Sequence, residues 1–389
     1  MPVHPRIAVS RLRALLRQFP SVSILGARQI GKSTLARSAL PGWEFLDLEN
    51  PADLRLLERD PMFVLSRHRK LVLDEAQRYP PIFPALRSFL DAHPDRKVVL
   101  LGSASPGLIR GVSESLAGRT ALLELGGLSL LEHPMEGLWI QGAYPRVHWG
   151  RPRPRPAEWY PAYLRACLER DIPQLGFRIS AQRLRALITM VAHMQGAIGH
   201  LSELSASLGI NYHSVAAILD IFEGIYLIRR LQPYFANIGK RLVKSPKIYL
   251  RDNGVLHSLL EVPFSRSALL KHPKAGASFE TFCLEQILLH ASLVDPSARG
   301  WYFRTHKGVE VDLILEVRGG RVPIEIKLGT SPPDTRGLET CMSDLGLRKS
   351  YVVNLTAQPK EIRPGIWMCG LEDLLRRLRL IPVGARGAE

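Results

Sequence analysis

The stretch that decides the fold is SVSILGARQIGKST, residues 21–34. Its first five residues are apolar or small and predict a buried strand, and the stretch STLARSAL that follows predicts a helix. Between them, GARQIGKS at 26–33 fits the pattern G-x-x-x-x-G-K-[ST]. A glycine-rich loop between a strand and a helix N-terminus directs backbone amides at an anion. The stretch therefore predicts an α/β fold with a phosphate-binding loop.

The residues of this loop have separate expected roles in binding ATP with Mg²⁺. Gly26 and Gly31 permit the backbone angles that let successive amides converge on phosphate. Lys32 is expected to neutralise the β- and γ-phosphates, and Ser33 to bind Mg²⁺, with Thr34 as its substitute if the register shifts. A chance glycine turn carrying a lysine is the structural alternative. The complete predicted nucleotide-binding segment is Gly26, Ala27, Arg28, Gln29, Ile30, Gly31, Lys32, Ser33 and Thr34.

Polar residues stand where two further apolar strands end. Short apolar runs alternating with helical stretches over 21–126 predict a parallel sheet covered by helices. LVLDE ends in Asp74, expected to hold Mg²⁺, and in Glu75, expected to act as general base on the attacking water. KVVLLGS ends in Ser103, the favoured sensor of the γ-phosphate, whereas Ser105 has helix capping as its structural role. These residues extend the expected ATP site beyond the loop.

Length and linkers bound the domain organisation. A chain of 389 residues is expected to form about two or three domains. Proline and arginine alternate over 151–156 as a stiff basic linker, and a second break is expected near 263–276. The sequence therefore predicts a P-loop domain at 1–150, a helical and winged helix-turn-helix domain at 151–262, and a further α/β domain at 263–389.

Charge and cysteine content narrow the expected partners and compartment. Lys plus Arg number 52 against 36 Asp plus Glu, and the net charge of +16 favours nucleic acid, with an anionic membrane surface as the competing partner. No apolar run reaches the roughly 18 residues of a membrane span, and the N-terminus lacks a secretory signal pattern. The four cysteines include no CxxC pair, so neither a zinc site nor a disulfide framework is indicated. A cytoplasmic protein without membrane association is expected.

The middle of the chain contains a helix-turn-helix pattern. The run HLSELSASLGINYHSVAAILDIFEGIYLI at 200–228 predicts two helices joined by a turn through Gly209. Tyr212, His213 and Ser214 would lie at the exposed start of the second helix, where a groove-reading helix makes its DNA contacts. Packing against neighbouring elements is the structural alternative.

A basic segment follows at 229–251 and contains no acidic residue. Like charges so close together repel one another, which favours a phosphate backbone as their counter-charge; a solvated turn and strand is the alternative. Its basic residues are Arg229, Arg230, Lys240, Arg241, Lys244, Lys247 and Arg251. DNA is therefore an expected partner.

The C-terminal stretch VEVDLILEVRGGRVPIEIKL at 309–328 predicts a β-hairpin. A two-residue turn at Gly319 and Gly320 would pair Arg318 with Arg321. Carrying this register outward places the acidic residue of the first strand opposite the lysine near the end of the second strand.

That acidic residue is Asp312, and the lysine is Lys327. Strand alternation would place Asp312, Glu325 and Lys327 on one face and the apolar residues on the other, which is then the core face. Two carboxylates diagonal across a ladder predict a Mg²⁺ site, and the lysine would orient a water or neutralise a phosphate. A solvated polar face is the alternative.

The phosphate loop, LVLDEAQ and LLGSAS together resemble the corresponding motifs of AAA-type ATPases. In that family an arginine after the sensor helix reaches the γ-phosphate of a neighbouring subunit. Arg119 in ESLAGR matches that location, so the resemblance implies a catalytic finger acting in trans and a homo-oligomer, with a hexameric ring favoured. A local helix-end contact by Arg119 is the alternative.

The C-terminal residues resemble the D…E-x-K pattern of restriction-endonuclease-like nucleases. The resemblance implies catalytic roles for Asp312, Glu325 and Lys327, with the two carboxylates as Mg²⁺ ligands. Glu280, in the preceding helix SFETFCLEQILL, resembles the acidic helix residue that often completes such a metal site. A degenerate, non-cleaving domain is the alternative.

Together with LERDIP and KRLVKSPKIYLRDNG, these motifs resemble a prokaryotic family of AAA-type ATPases with a C-terminal nuclease-like domain, over nearly the whole chain. The leading hypothesis is a DNA-acting motor, in which ATP hydrolysis drives an oligomer, the middle segment grips DNA and the C-terminal domain cuts or holds it. The second hypothesis is a nucleotide-gated interaction switch whose C-terminal domain does not cleave.

Overall fold

A computed structural model describes residues 4–102, 114–174, 176, 179–234, 245–306, 308–356 and 358–382. The chain divides into two compact units. Unit 1 comprises Met1–Gly127, Tyr144–Gly150 and Gly224–Tyr226, and unit 2 comprises Leu128–Ala143, Arg151–Glu223 and Leu227–Glu389.

The strands and helices of the described residues are numbered in chain order. The strands are β1 Ser21–Leu25, β2 Glu44–Asp47, β3 Lys70–Asp74, β4 Lys97–Gly102, β5 Thr120–Glu124, β6 Ile228–Leu231, β7 Lys247–Leu250, β8 Arg299–Arg304, β9 Glu310–Val317, β10 Gly320–Ile326, β11 Ser350–Val353, β12 Lys360–Arg363 and β13 Ile366–Cys369. The main helices are α1 Ala8–Gln18, α2 Lys32–Ala39, α3 Pro51–Arg59, α4 Pro61–Arg67, α5 Ile82–Ala92, α6 Met135–Gln141, α7 Pro145–Trp149, α8 Pro156–Ala166, α9 Ala181–His193, α10 Leu201–Leu208, α11 Tyr212–Gly224, α12 Asn253–Leu259, α13 Arg266–Lys271, α14 Ala275–Val294, α15 Arg336–Leu345 and α16 Leu371–Arg377.

Unit 1 contains a parallel sheet in the order β2–β3–β4–β1–β5. The apolar runs that predicted buried strands form this sheet, and side chains such as Ile24, Leu73 and Leu100 are fully buried. The predicted parallel-sheet α/β domain is confirmed. Because the strands are parallel, the loop after Leu25 and the acidic end of β3 at Asp74 lie at the same edge of the sheet.

The middle of the chain, within unit 2, is largely helical, as predicted. Helix α10 ends at Gly209, whose φ of 60° is left-handed, and α11 begins at Tyr212. Asn211 caps α11, because its Oδ1 accepts a hydrogen bond of 2.7 Å from the Ser214 amide. The strands β6 and β7 then pair antiparallel, with Ile228 opposite Leu250. The helix-turn-helix is therefore followed by a two-stranded sheet.

The C-terminal part of unit 2 is a mixed sheet in the order β12–β13–β11–β10–β9–β8. Strands β8, β9 and β10 are antiparallel, whereas β10, β11 and β13 are parallel. Helices α14 and α15 both pack against β9 and β10. The consecutive residues 311–315 of β9 are all buried, so both faces of this sheet are covered. The apolar face is core, as predicted, and the face that carries Asp312 is buried as well.

The predicted register of the C-terminal hairpin was wrong. Val317 pairs with Gly320, so the turn residues are Arg318 and Gly319, with left-handed φ angles of 51° and 73°. Asp295 helps to hold this turn, since its Oδ2 accepts a hydrogen bond of 2.6 Å from the Arg318 amide. The last aligned pair is Leu313 with Ile324, and one further step sets Asp312 beside Glu325 rather than Lys327.

Within the described parts of the chain, no helix combines the length and apolar character needed to cross a membrane.

Candidate nucleotide site and carboxylate cluster

The phosphate-binding loop connects β1 to α2 and requires glycine at both glycine positions of the sequence pattern. A Cβ on Gly26 would lie 2.5 Å from the Leu125 carbonyl oxygen, which no side chain could tolerate. Gly31 adopts a φ of 96° directly before the first residue of α2, a conformation that glycine adopts without steric cost. The local backbone therefore has the form that the pattern predicts for a phosphate-binding turn.

Lys32 lies inside this loop and is only 6% exposed. Its Nζ donates to the carbonyl oxygens of Gly26 at 3.1 Å and Ala27 at 3.0 Å. Burial lowers the pKa of the Lys32 ammonium, while the negative charges of Glu75 and Asp74 act in the opposite direction. A cation is thus held between the loop and the acidic end of β3.

Ser33 and Asp74, the two predicted Mg²⁺ ligands, are in contact. The Ser33 hydroxyl forms a hydrogen bond with the Asp74 carboxylate, and the Glu75 amide donates to Asp74 Oδ1 at 3.0 Å. Burial raises the pKa of Asp74 despite these hydrogen bonds. A hydroxyl and a carboxylate adjacent to a phosphate loop are the protein ligands that Mg²⁺ takes with a nucleotide. The residues present therefore fit Mg²⁺-bound ATP.

Glu75 follows Asp74 in a left-handed conformation, with φ of 52°. A non-glycine residue with this backbone is uncommon and is typical of constrained functional positions. The side-chain Nε2 of Gln77 donates a hydrogen bond to Glu75 Oε2. The backbone and Gln77 together fix the direction of the carboxylate.

Sequence reasoning missed two residues at this site. Asp47 ends β2 and lies opposite Asp74 in the register, so it adds a carboxylate to the same sheet edge. Its position at the end of the apolar run WEFLDL was the signal that could have identified it. Arg6 donates to the carbonyl oxygen of Ile30 at 3.0 Å and to that of Gly126 at 2.9 Å. No local pattern indicates a contact across such a sequence separation.

The structure does not place the other two predicted catalytic residues of the ATP site at the phosphate loop of this subunit, for different reasons. Ser103 lies outside the described residues. Arg119 precedes β5 at the amino end of the sheet, where its carbonyl accepts from the Ser21 amide at 3.1 Å. Its guanidinium makes a bidentate pair with Asp91 at 2.6 and 2.7 Å. This is the local contact that the sequence left open as the alternative, and the trans-acting role of Arg119 stays a prediction.

The start of the second helix of the helix-turn-helix is exposed to solvent, as predicted. Tyr212, at the first turn of α11, is 50% exposed, and His213 beside it is also exposed. Helix α11 carries acidic residues further along, and Asp220 and Glu223 both pair with Arg230. The exposed start of α11 is thus aromatic and polar rather than basic.

The described basic residues of the segment 229–251 pair with carboxylates of the chain itself, which corrects the argument that these residues lack a counter-charge. Arg229 and Arg251 both pair with Glu285, at 2.5 and 3.3 Å. Lys247 is 2% exposed and points at carboxylates of the C-terminal sheet. The counter-charges come from distant parts of the sequence, and Lys240, Arg241 and Lys244 lie outside the described residues.

Lys247 forms the centre of a carboxylate cluster. Its Nζ lies 2.6 Å from Glu310 Oε1, 3.4 Å from Asp312 Oδ1 and 3.7 Å from Glu280 Oε1. The Tyr249 hydroxyl also donates to Glu280 Oε1 at 2.5 Å. Two strands, β7 and β9, and helix α14 therefore meet around one buried ammonium.

A second lysine closes the exposed side of the cluster. Lys327 Nζ lies 2.6 Å from Glu325 Oε1 and 3.6 Å from Asp312 Oδ2, and its side chain is 47% exposed. The Ile326 amide donates to Asp312 Oδ2 at 2.9 Å. The structure thus brings together all four predicted residues of the nuclease-like site, and adds Lys247 and Glu310, which sequence reasoning did not assign to it.

The electrostatics of the cluster reflect burial and crowding of like charges. Burial, with the charge of Asp312, raises the pKa of both Glu280 and Glu325 to about 7. Burial would lower the pKa of Lys247, but the acidic groups around it, including Tyr249 and Asp312, raise the pKa above its ordinary value. Among the described residues, no three His, Cys, Asp or Glu side chains are arranged to hold a metal ion. The ammonium groups of Lys247 and Lys327 lie against these carboxylates, and the Mg²⁺ site predicted here stays a prediction.

The comparison with protein families divides the chain into three segments. Residues 18–133 match the model of the AAA domain. Residues 133–266 match a domain of unknown function, DUF8612, and residues 275–374 match another, DUF4143. The AAA match coincides with the parallel sheet and its phosphate loop, so the N-terminal segment is an AAA-type ATPase domain.

Two relatives extend the similarity over most of the chain. They are the uncharacterized proteins Mb2031c of Mycobacterium bovis and Rv2008c of Mycobacterium tuberculosis. Each is 41% identical over 362 residues, which cover 91% of this chain and 80% of the relative. The chain belongs to their family. The similarity to these relatives therefore extends well beyond the AAA domain.

Similar solved structures are distant. The Walker-type ATPase PABY2304 of Pyrococcus abyssi has a TM-score of 0.43 at 14% identity, covering 66% of this chain and 96% of that chain. Protein VC1899 from Vibrio cholerae has a TM-score of 0.22 at 11% identity, covering 95% of this chain and 99% of that chain. Neither similarity supports an argument about function.

Proposed function

We propose that this AAA-family protein hydrolyses Mg²⁺-bound ATP and uses the hydrolysis cycle to control binding of DNA. The observation that carries the first part is the contact of Ser33 with Asp74 beside the buried ammonium of Lys32. These three groups supply the hydroxyl, the carboxylate and the cation that phosphoryl transfer requires.

The residues have distinct proposed tasks in hydrolysis. Lys32 binds the β- and γ-phosphates, while Ser33 and Asp74 hold the metal. Bound Mg²⁺ supplies charge neutralisation of the phosphate oxygens. Glu75 accepts a proton from the attacking water, and the hydrogen bond from Gln77 keeps its carboxylate oriented.

The DNA part of the proposal is supported by the helix-turn-helix and by the net charge of +16. The exposed side chains of Tyr212 and His213 stand at the start of α11, where such units contact a groove. The described arginines and lysine of the segment 229–251 add no support, because they pair within the chain. The exposed start of α11 therefore carries the DNA part of the proposal.

DNA is expected to stimulate ATP hydrolysis by the wild-type protein, measured with duplex, single-stranded and branched substrates. Tyr212→Ala should lower DNA affinity by roughly tenfold, the equivalent of one lost contact of about 1.4 kcal/mol. Leu270→Ala is the matched control, since Leu270 is 45% exposed elsewhere in unit 2. Absence of stimulation by all three substrates would leave the nucleotide-gated interaction switch as the better description.

We propose that the C-terminal domain holds DNA without cutting it. The observation that carries this part is the ammonium of Lys247 among Glu280, Glu310 and Asp312, which supplies from within the chain the positive charge that these carboxylates need. A metal-dependent nuclease is the second candidate. It is favoured by Glu325 Oε2, a buried oxygen without a hydrogen-bond partner in the described structure, and by the exposed head of Lys327.

Plasmid nicking in Mg²⁺ or Mn²⁺ separates these two candidates. Wild type, Asp312→Ala and Lys327→Ala are expected to show the same background rate, because the carboxylates are already neutralised by lysine. Circular dichroism controls for folding of each variant. Nicking by wild type that both variants lose would establish the nuclease and overturn the non-cleaving proposal.

A homo-oligomer, with a hexameric ring favoured, is part of the proposal because the chain contains an AAA domain and Arg119 matches the position of a trans-acting finger. Within one subunit Arg119 is at the opposite end of the sheet from the phosphate loop, so a role in hydrolysis requires a neighbouring subunit.

A further inference from the structure

Arg6 is buried against the phosphate-binding loop, with 8% of its surface exposed. Its Nη1 donates to the Ile30 carbonyl at 3.0 Å, and its Nη2 donates to the carbonyls of Gly126 at 2.9 Å and Gly127 at 3.0 Å. One guanidinium thereby joins the loop to the segment that follows β5.

The contact with Ile30 determines the direction of the next amide. In a trans peptide the carbonyl and the following N–H point in opposite directions. Because Arg6 holds the Ile30 carbonyl, the Gly31 N–H points away from the guanidinium. A Cβ on Gly31 would lie 3.4 Å from Arg6 Nη1, so the guanidinium lies directly against this residue.

Lys32 makes a similar contact at the other end of the loop, where its Nζ donates to the carbonyl oxygens of Gly26 and Ala27. Of the amides between these carbonyls, that of Ile30 donates back to the Ala27 carbonyl at 3.4 Å. The Gly31 N–H is therefore the amide whose direction depends on Arg6, and a phosphate-binding loop presents such amides to its anion.

We propose that Arg6 is a positioning residue for the nucleotide phosphates, acting through the Ile30–Gly31 peptide. The inference rests on the proposed ATP binding and hydrolysis. Arginine suits this position because its planar fork presents several donors in fixed directions, whereas a lysine ammonium at the end of a flexible stem cannot reach the same three carbonyls together.

The test compares ADP affinity by isothermal titration calorimetry, and ATP hydrolysis, in wild type, Arg6→Ala and Arg6→Lys. Arg6→Ala is expected to weaken ADP binding by about ten- to a hundredfold, the effect of losing one amide hydrogen bond to a charged phosphate. Guanidinium ion added to Arg6→Ala should restore part of the affinity. Arg6→Lys should be intermediate, and it keeps the test informative if Arg6→Ala fails to fold.

Arg13→Ala is the matched control. Arg13 lies in α1 and donates to the carbonyl of Ala39, at the far end of α2, at 3.3 Å. We expect this variant to bind ADP like wild type. Unchanged ADP affinity in both Arg6 variants, or an equal loss in Arg13→Ala, would overturn the inference. Failure of wild type itself to bind ADP would instead reject the proposed function, so the two failures are distinguishable.

Discussion

Replacement of Lys32 by methionine is expected to lower the ATP hydrolysis rate by about a hundred- to a thousandfold, the cost of removing one preorganised charge from a phosphoryl-transfer site. The methionine keeps the apolar stem but removes the ammonium that bridges Gly26 and Ala27. Both ATP binding and hydrolysis should fall. Steady-state phosphate release and calorimetric titration with ADP measure the two effects.

Two further variants make this result specific. Lys97→Met is the matched control, because Lys97 also donates to a backbone carbonyl, that of Phe19 at 3.0 Å, but from the amino end of the same sheet. It should hydrolyse ATP like wild type. Glu75→Gln should keep ADP affinity and lose turnover, since only the proton acceptor is removed. Wild-type turnover in Lys32→Met would contradict the assignment of the loop.

Lys32→Met also tests whether sites are shared between subunits. Mixed with Arg119→Ala, it should regain some hydrolysis, because each subunit supplies the group that the other lacks. Asp91→Ala is the control, since it breaks the pair with Arg119 and leaves the guanidinium in place. Equal loss of activity in Asp91→Ala, or no recovery in a confirmed mixed assembly, would favour a local role for Arg119.

The ATP site could be predicted largely from the sequence because its parts are local. The spacing of Gly26, Gly31, Lys32 and Ser33 is set by one turn between a strand and a helix. The position of Asp74 follows from the rule that parallel strands end at one edge. Arg6 could not be predicted, because its partners Gly126 and Gly127 are more than a hundred residues away along the chain.

The carboxylate cluster shows the limit of local patterns more clearly. Strand alternation placed Asp312 and Glu325 on one face, and this held because the observed register differs from the predicted one by two residues, which preserves the face of each side chain. The predicted hairpin register was wrong because the turn residues are Arg318 and Gly319 and not Gly319 and Gly320. Arg318 adopts a left-handed conformation that glycine usually takes, and Asp295, outside the hairpin, helps to hold it there. The ion pairs of Lys247 were not predicted because their partners lie in α14 and β9, far from Lys247 along the sequence.

Replacement of Lys247 by methionine is expected to lower the free energy of unfolding by about 3–5 kcal/mol at pH 8, the usual cost of breaking a buried ion pair from one side. The change leaves Glu280, Glu310 and Asp312 without the ammonium that they surround. Urea unfolding of wild type and variant measures the difference.

The size of this effect should depend on pH. The carboxyl groups of Glu280 and Glu325 have pKa values raised to about 7, above those of the unfolded chain, so the folded state binds more protons between roughly pH 4.5 and 7. Their contribution to stability is therefore present at low pH and is lost as pH rises through 7. Without Lys247 these pKa values should rise further, so the loss of stability should be smaller at pH 5 than at pH 8.

Lys327→Met is the matched control, because Lys327 contacts the same carboxylates with a side chain that is 47% exposed. It should cost no more than about 1 kcal/mol, as expected for a solvent-screened pair. Lys247→Met combined with Asp312→Asn should recover part of the stability, since one of the stranded charges is removed. Equal losses in both lysine variants, or a Lys247 effect that does not change with pH, would mean that Lys247 does not neutralise the cluster. The non-cleaving proposal would then lose the observation that carries it, because the carboxylates would be free to take another cation.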